Sequence, residues 1–279
     1  MCLIVFGWHS HPEYPLVIAA NRDEFYARKT RPAAWWGQAV SLLAGRDEEA
    51  GGTWLGINRR GRVALLTNVR SPADRNPHAP SRGGLVVSAL QAEAPAAQWA
   101  GQLPERATAY NGFNLLVGDL TPAPGFAAAP SFVHMNNRSG EPPQTLAPGI
   151  YGLSNAFLDT PWPKVTRAVS RFATQLAARV DADAFFDLMA DRRLAPDGEL
   201  PSTGVPSEWE RVLSAIQIRA LGYGTRTTTV LTVRRDGLVA FVERTFDTDE
   251  PGLFSDRRYE FMVDGVRRQL GGLGLQRGR

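Results

Sequence analysis

The sequence predicts an α+β fold: two mainly antiparallel sheets stacked face to face with helices outside, an αββα sandwich of four layers formed by residues 1–279 as a single domain. Three observations carry this. Apolar, β-rich runs come in pairs closed by turn residues, helical periodicity appears only between groups of strands, and no Ser/Gly-rich linker, charge block or long repeat divides the chain.

Cys2–Trp8 and Leu16–Asn21 flank His9-Ser10-His11-Pro12-Glu13 and read as a first hairpin. Thr53–Asn58 and Arg62–Asn68 form a second, where Gly61 supplies the positive φ that a tight turn needs. A third, Thr227–Arg234 with Leu238–Phe246, is closed by Arg235-Asp236-Gly237. Further strands are expected at Phe113–Leu120, Phe132–Asn136, Ile150–Ser154 and Tyr259–Val263. The strongest helix is Trp162–Arg179, in which Trp162, Val165, Val169, Phe172 and Leu176 share one face and Pro161 marks the start. Shorter helices fit Leu85–Leu90, Ala96–Leu103, Ala184–Ala190 and Ser207–Ile216, with surface loops at Leu120–Pro130 and Ala195–Pro206.

Composition narrows the function. The hydrophobic fraction of 43% is enough for a large core, yet no apolar run is long enough to span a bilayer. The first twenty residues hold no Lys or Arg, and the run Leu3–Trp8 is broken by His9, His11, Pro12 and Glu13, so a secretory layout is missing and the cytoplasm is the expected location. The net charge of +3 comes from arginines scattered along the chain, which argues against a nucleic-acid partner. One cysteine excludes an internal disulfide and a zinc ribbon.

That cysteine, Cys2, follows the initiator directly. Removal of Met1 would leave it with a free α-amine of pKa near ~8 beside a thiol near ~8.5, so base and nucleophile would share one residue. The competing reading is a buried cysteine acting as a small hydrophobe in the first strand. Asn21-Arg22-Asp23-Glu24 closes the strand paired with that of Cys2, which brings Asp23 or Arg22 near the chain start. A carboxylate there could orient the amine as the third group of a triad does; a solvated strand end is the alternative.

Met1-Cys2, Asn21-Arg22-Asp23-Glu24, Gly51-Gly52-Thr53-Trp54-Leu55-Gly56, Thr67-Asn68-Val69-Arg70, Ser81-Arg82-Gly83, Tyr110-Asn111-Gly112-Phe113-Asn114-Leu115, Tyr151-Gly152-Leu153-Ser154-Asn155, Trp162-Pro163-Lys164 and Tyr223-Gly224-Thr225-Arg226 occur in this order. Weak singly and specific jointly, they resemble the NRDE family, also called the transport and Golgi organization protein 2 family. That family in turn resembles the N-terminal nucleophile hydrolases of the choloylglycine and penicillin V acylase type, which share the αββα sandwich. The resemblance implies Cys2 as nucleophile, Asp23 against the α-amine, Asn68 and Asn155 as oxyanion donors, and Arg226 as the arginine near the nucleophile. One departure stands out: the acylases carry an arginine just before the shared Asn-x-Asp, where this chain has Ala20 and its arginine at Arg22.

Other constellations carry less. His9-Ser10-His11 with Glu13 reads as a solvated turn, so no metal is expected. His134 and Met135 are adjacent on a strand and point to opposite faces, so they cannot both ligate one haem iron; His134 alone stays a candidate. Trp36, with Trp35, Trp8 and Phe25, is a candidate wall for an apolar ligand, and core packing explains these rings equally well. Gly51 and Gly52 fit a tight entry into the next strand.

The expected function is therefore a Cys-dependent amidohydrolase of the N-terminal nucleophile type, needing no cofactor and acting on a linear small-molecule amide. Cys2, Asp23, Asn68, Asn155 and Arg226 would be its catalytic residues, and Asn21, Arg22, Trp36 and His134 its binding residues. The alternative is a non-catalytic carrier or trafficking protein that holds haem or a lipid or acyl-CoA-like ligand in the same cleft.

Overall fold

The computed structural model describes residues 2–37, 41–121, 129–250 and 252–264; Met1 and most of the expected Leu120–Pro130 loop lie outside them. In chain order the elements are β1 (Cys2–Trp8), β2 (Leu16–Phe25), β3 (Thr30–Trp36), β4 (Leu42–Asp47), β5 (Leu55–Asn58), β6 (Arg62–Asn68), α1 (Gly83–Gln91), α2 (Ala96–Gly101), α3 (Pro104–Ala107), β7 (Phe113–Asp119), β8 (Ser131–Asn136), β9 (Gln144–Thr145), β10 (Gly149–Leu153), α4 (Pro163–Ala178), α5 (Ala182–Met189), α6 (Ser207–Val212), β11 (Arg219–Ala220), β12 (Tyr223–Val233), β13 (Leu238–Phe246) and β14 (Phe254–Met262).

One sheet runs β10-β1-β2-β12-β13-β14, with β11 on β12; the other runs β3-β4-β5-β6-β7-β8-β9. Alternation along the strands builds the layers. Ile4, Phe6 and Trp8 of β1 and Leu16, Ile18 and Ala20 of β2 point between the sheets, meeting Leu55, Ile57, Val63, Leu65 and Leu116. Leu3, Val5, Val17 and Ala19 point the other way, onto Phe172 and Leu176 of α4 and Phe185 of α5. On the far side, Ala64, Leu66 and Leu115 pack under Leu85, Val86 and Leu90 of α1. Fully burying each such Leu, Ile, Val or Phe contributes roughly 1.5–3 kcal/mol, against ~0–1 kcal/mol for an exposed ion pair, so three apolar layers hold the sandwich. Among the described residues no helix is long and apolar enough to cross a membrane.

The expected hairpins form, with differences that have local causes. β3 and β4 escape the sequence pattern because Arg31, Pro32 and Gly45 interrupt it, and their register shifts between Arg31 and Ala34. β14 begins at Phe254, before the expected Tyr259, since its first residues are largely exposed and polar, as suits an edge strand. The helix expected at Ala96–Leu103 ends at Gly101, and Pro104 starts the separate α3. Most relevant to function, β2 continues through Asn21-Arg22-Asp23-Glu24 to Phe25, because Tyr223–Thr225 of β12 prolong its ladder. The tetrapeptide is thus the inside of a strand, not its solvated end.

Candidate functional site around Cys2

Cys2 opens β1 and pairs in register with Arg22 of β2. Its thiol is half-buried and unbridged. Burial pushes the thiol up, as does the negative charge of Asp23, while Arg22 and the Asp23 main-chain N–H, which hydrogen-bonds the sulfur, draw it down. The resting sulfur is therefore a thiol that needs activating.

Strand alternation divides the tetrapeptide between two faces. Arg22, 5% exposed, lies on the inter-sheet side over the Trp54 ring at 4.2 Å, donates to Thr30 Oγ1 at 3.1 Å and approaches Asp47 at 3.7 Å. It is two residues along the strand from Ala20, so the displaced arginine keeps the face and moves toward the Cys2 end. Asn21 faces the helices and serves the fold: its Nδ2 donates to the carbonyls of Met189 and Ile216, both at 2.9 Å, and its Oδ1 accepts from Thr228 at 2.6 Å. Asp23, 1% exposed, accepts from Thr225 Oγ1 at 2.6 Å, and that oxygen accepts from the Ile218 N–H at 2.9 Å. Burial pushes the Asp23 carboxyl up, opposed by Lys164, by the Thr225 hydrogen bond and by Arg22.

Two of the expected amides join this cluster. Asn155 follows β10, and its Nδ2 donates to the Asn68 carbonyl at 2.9 Å while its own carbonyl accepts from the Arg70 N–H at 2.8 Å. Ser154 links them to β1, its Oγ donating to the Cys2 carbonyl at 3.1 Å. One N–H of the Asn155 amide is thereby used in holding the Asn68 carbonyl. Asn68 ends β6 on the wall of a cavity of about 650 Å³.

The structure does not bring Arg226, Trp36 or His134 to Cys2. The β2–β12 register shifts between Thr225 and Thr227, leaving Arg226 as the extra residue of a bulge. The bulge turns it to the carbonyls of Phe25, Tyr26 and Arg28, which accept from Nη1 at 3.0–3.1 Å. Trp36 packs against the α1–α2 layer and donates from Nε1 to the Ala44 carbonyl at 3.0 Å. His134 is 8% exposed, meets Asn114 Oδ1 at 3.1 Å through Nε2, and is held down at about 4 by burial, so its ring is neutral near pH 7. His11 Nδ1 accepts the N–H groups of Glu13 and Tyr14, and among the described residues no three His, Cys, Asp or Glu side chains could hold a metal ion.

Other residues of the cluster carried no role in the sequence reading beyond their motifs. Lys164, in the first turn of α4, is 1% exposed; its Nζ has no hydrogen-bond partner among the described residues, and Asp23, Cys2 and Glu210 favour its charge. Arg70 pairs with Glu210, stacks on Trp162 at 4.8 Å and lines the cavity. Arg82 lines it too, donating to the Gly112 carbonyl at 2.9 Å, and a Cys2 thiolate would favour its charge. Arg82 is placed by glycine: a Cβ on Gly52 would lie 2.4 Å from the main chain of Gly83, so the segment after Arg82 can approach only a bare backbone. The signal for these residues was burial within motifs, which a pattern of residue types cannot show.

The family profile described as Transport and Golgi organisation 2 matches residues 1–248. The Transport and Golgi organization protein 2 homologs of Bos taurus and Homo sapiens are each 35% identical over 279 residues, covering 94% of this chain and 99% of the relative. A crystal structure of a variant of conjugated bile acid hydrolase from Clostridium perfringens superposes with a TM-score of 0.50 at 8% identity, covering 94% of this chain and 97% of that one. That likeness concerns the fold, the αββα sandwich of the N-terminal nucleophile hydrolases. Given the span of the family match and the identity to its members, the chain belongs to the Transport and Golgi organisation 2 family.

Proposed function

We propose that this protein is a Cys-dependent amidohydrolase of the N-terminal nucleophile type, working in the cytoplasm without a cofactor and cleaving the C–N bond of a linear amide. The observation that carries the reading is the convergence of Cys2, Asp23, Asn68 and Asn155 at one end of the sandwich. With Met1 removed, the Cys2 α-amine takes the thiol proton and Asp23 orients that amine. The sulfur attacks the amide carbon, and Asn68 and Asn155 donate to the developing oxyanion. The proton then passes to the leaving nitrogen as the C–N bond breaks, and water hydrolyses the thioester to an acid and the restored thiol. The cavity supports a substrate with an apolar part against Phe25, Trp209 and Leu213.

The test is the intact mass of the purified full-length protein before and after a thiol-reactive amide mimic. The expected result is loss of Met1, one rapid adduct, and no adduct in a folded Cys2→Ala variant. Retained Met1 with a sluggish thiol, or undiminished labelling of Cys2→Ala, overturns the assignment.

A second reading, non-catalytic carriage of haem or a lipid or acyl-CoA-like ligand, is favoured by the mixed lining of the same cavity, which includes both Trp209 and Leu213 and the cations Arg75 and Arg82. Haem would then be held by these walls, since His134 is buried on Asn114. Saturable, stoichiometric haem binding that is insensitive to Cys2→Ala supports carriage, and unsaturable binding argues against it.

A further inference from the structure

Of the 31 basic Lys and Arg residues in this chain only two, Lys29 and Lys164, are lysine. Lys29 is exposed in the turn between β2 and β3. Lys164 is the opposite case, fully enclosed where α4 begins. Arginine is the default cation here even at buried sites, as Arg62 and Arg70 show, and arginine stays protonated at any ordinary pH. A lysine can lose its proton when buried.

The charged surroundings of Lys164 converge on the site. Asp23 of β2, Cys2 of β1 and Glu210 of α6 favour its ammonium, while Arg70, beyond β6, opposes it. Asp23 in turn carries the Thr225 hydrogen bond and feels Arg22. No hydrogen bond to Nζ among the described residues anchors the amine, so nothing local offsets its desolvation except charges belonging to the site.

We propose that Lys164 is a positioning residue for Cys2: by holding or releasing one proton, its buried amine sets the charge of the Asp23 and Cys2 pair. Protonated, it keeps Asp23 a carboxylate and stabilises the thiolate. When it releases its proton to solvent that support is lost, and the thiol becomes harder to ionise. Burial draws Lys164 down to about 8, so the change falls within the working range of a cysteine nucleophile. The proposal rests on the nucleophile reading of Cys2, but its measurements need no amide substrate.

The experiment follows alkylation of Cys2, the single cysteine, by iodoacetamide against pH in the full-length protein, using intact mass. In Lys164→Met the expected rate at pH 7 falls roughly tenfold and the midpoint rises by about one unit. Lys164→Arg restores the neutral-pH rate and, because arginine does not titrate there, leaves only the α-amine to bend the profile near pH 8, so the break is shallower than in the wild type. An unchanged profile in folded Lys164→Met overturns the proposal. If that variant does not fold, selective ¹³C-lysine labelling of the wild type gives two signals to titrate. The Lys164 signal is expected to titrate well below the ordinary lysine range, and lower still in Asp23→Asn; a midpoint in the ordinary range, or no response to Asp23→Asn, overturns it. Failure of the hydrolase reading would appear separately, as normal alkylation profiles with no reaction toward the amide mimic.

Discussion

The two helix-covered faces each bury a cation and treat it differently. Under α1, Arg62 pairs with Asp119, donates to the carbonyls of Ala89 at 3.0 Å and Ala94 at 2.7 Å, and Asp119 also accepts the Ala96 N–H at 2.6 Å. Every strong group there is answered locally, and the cluster ties β6 and β7 to the helices above. Under α4, Lys164 is at least as buried and has no such hydrogen bond among the described residues, while the neighbouring thiol and carboxyl of Cys2 and Asp23 are both pushed up by burial. A saturated buried ion pair builds structure. Titratable groups held away from their ordinary ranges are what a reacting site requires.

The sharpest way to break this contrast is Arg62→Met. It strands Asp119 without its cation and is expected to cost about 3–5 kcal/mol in urea unfolding, with the same Cys2 alkylation rate in the folded fraction. A loss below about 1 kcal/mol would mean that the pair is not structural.

Next in size is Glu243, 1% exposed, whose carboxylate accepts the Ala33 N–H and so joins the two sheets. Burial raises it from 4.5 to about 7, so the folded state holds its proton longer than the unfolded chain does. Its contribution is complete below pH 4.5 and is lost as pH rises to about 7, a decline on the order of 3 kcal/mol. Glu243→Gln should flatten that slope in melts between those limits, and an unaltered slope would refute the assignment.

Arg226→Met should cost about 1–2 kcal/mol, by freeing the carbonyls of Phe25, Tyr26 and Arg28, and leave the alkylation profile alone. A slowed thiol with unchanged stability would return Arg226 to the role that family resemblance implies. The smallest stability change is expected for Lys164→Met, within about 1 kcal/mol of wild type, since an apolar side chain of similar length offsets the lost attraction. Read beside Arg62→Met, it separates a cation kept for the fold from one kept for the site.

Much of the site was legible in the sequence. Cys2 at the head of an apolar run, paired with a polar tetrapeptide, was enough to place Asp23 near it, because a hairpin register follows from its turn and alternation. Asn68 and Asn155 came from family resemblance, and their meeting through Ser154 and the Asn68 carbonyl spans 87 residues of chain. Arg226 was misplaced because one extra residue in β12 redirects a side chain, and a bulge leaves no mark in residue type. Trp36 went astray for the related reason that adjacent Trp35 and Trp36 serve opposite layers.

By itself the sequence determined the three hairpins and the amphipathic α4, since period and turn chemistry are local properties. It also determined that a chain rich in arginine keeps a lysine at 164. Only the tertiary structure decided that this lysine has no hydrogen bond among the described residues to answer its charge, that Arg82 reaches the cavity across a glycine contact, and that Arg22 keeps the face of Ala20. Burial and charge coupling depend on segments far apart in the chain, and they fix which residues of a motif can react.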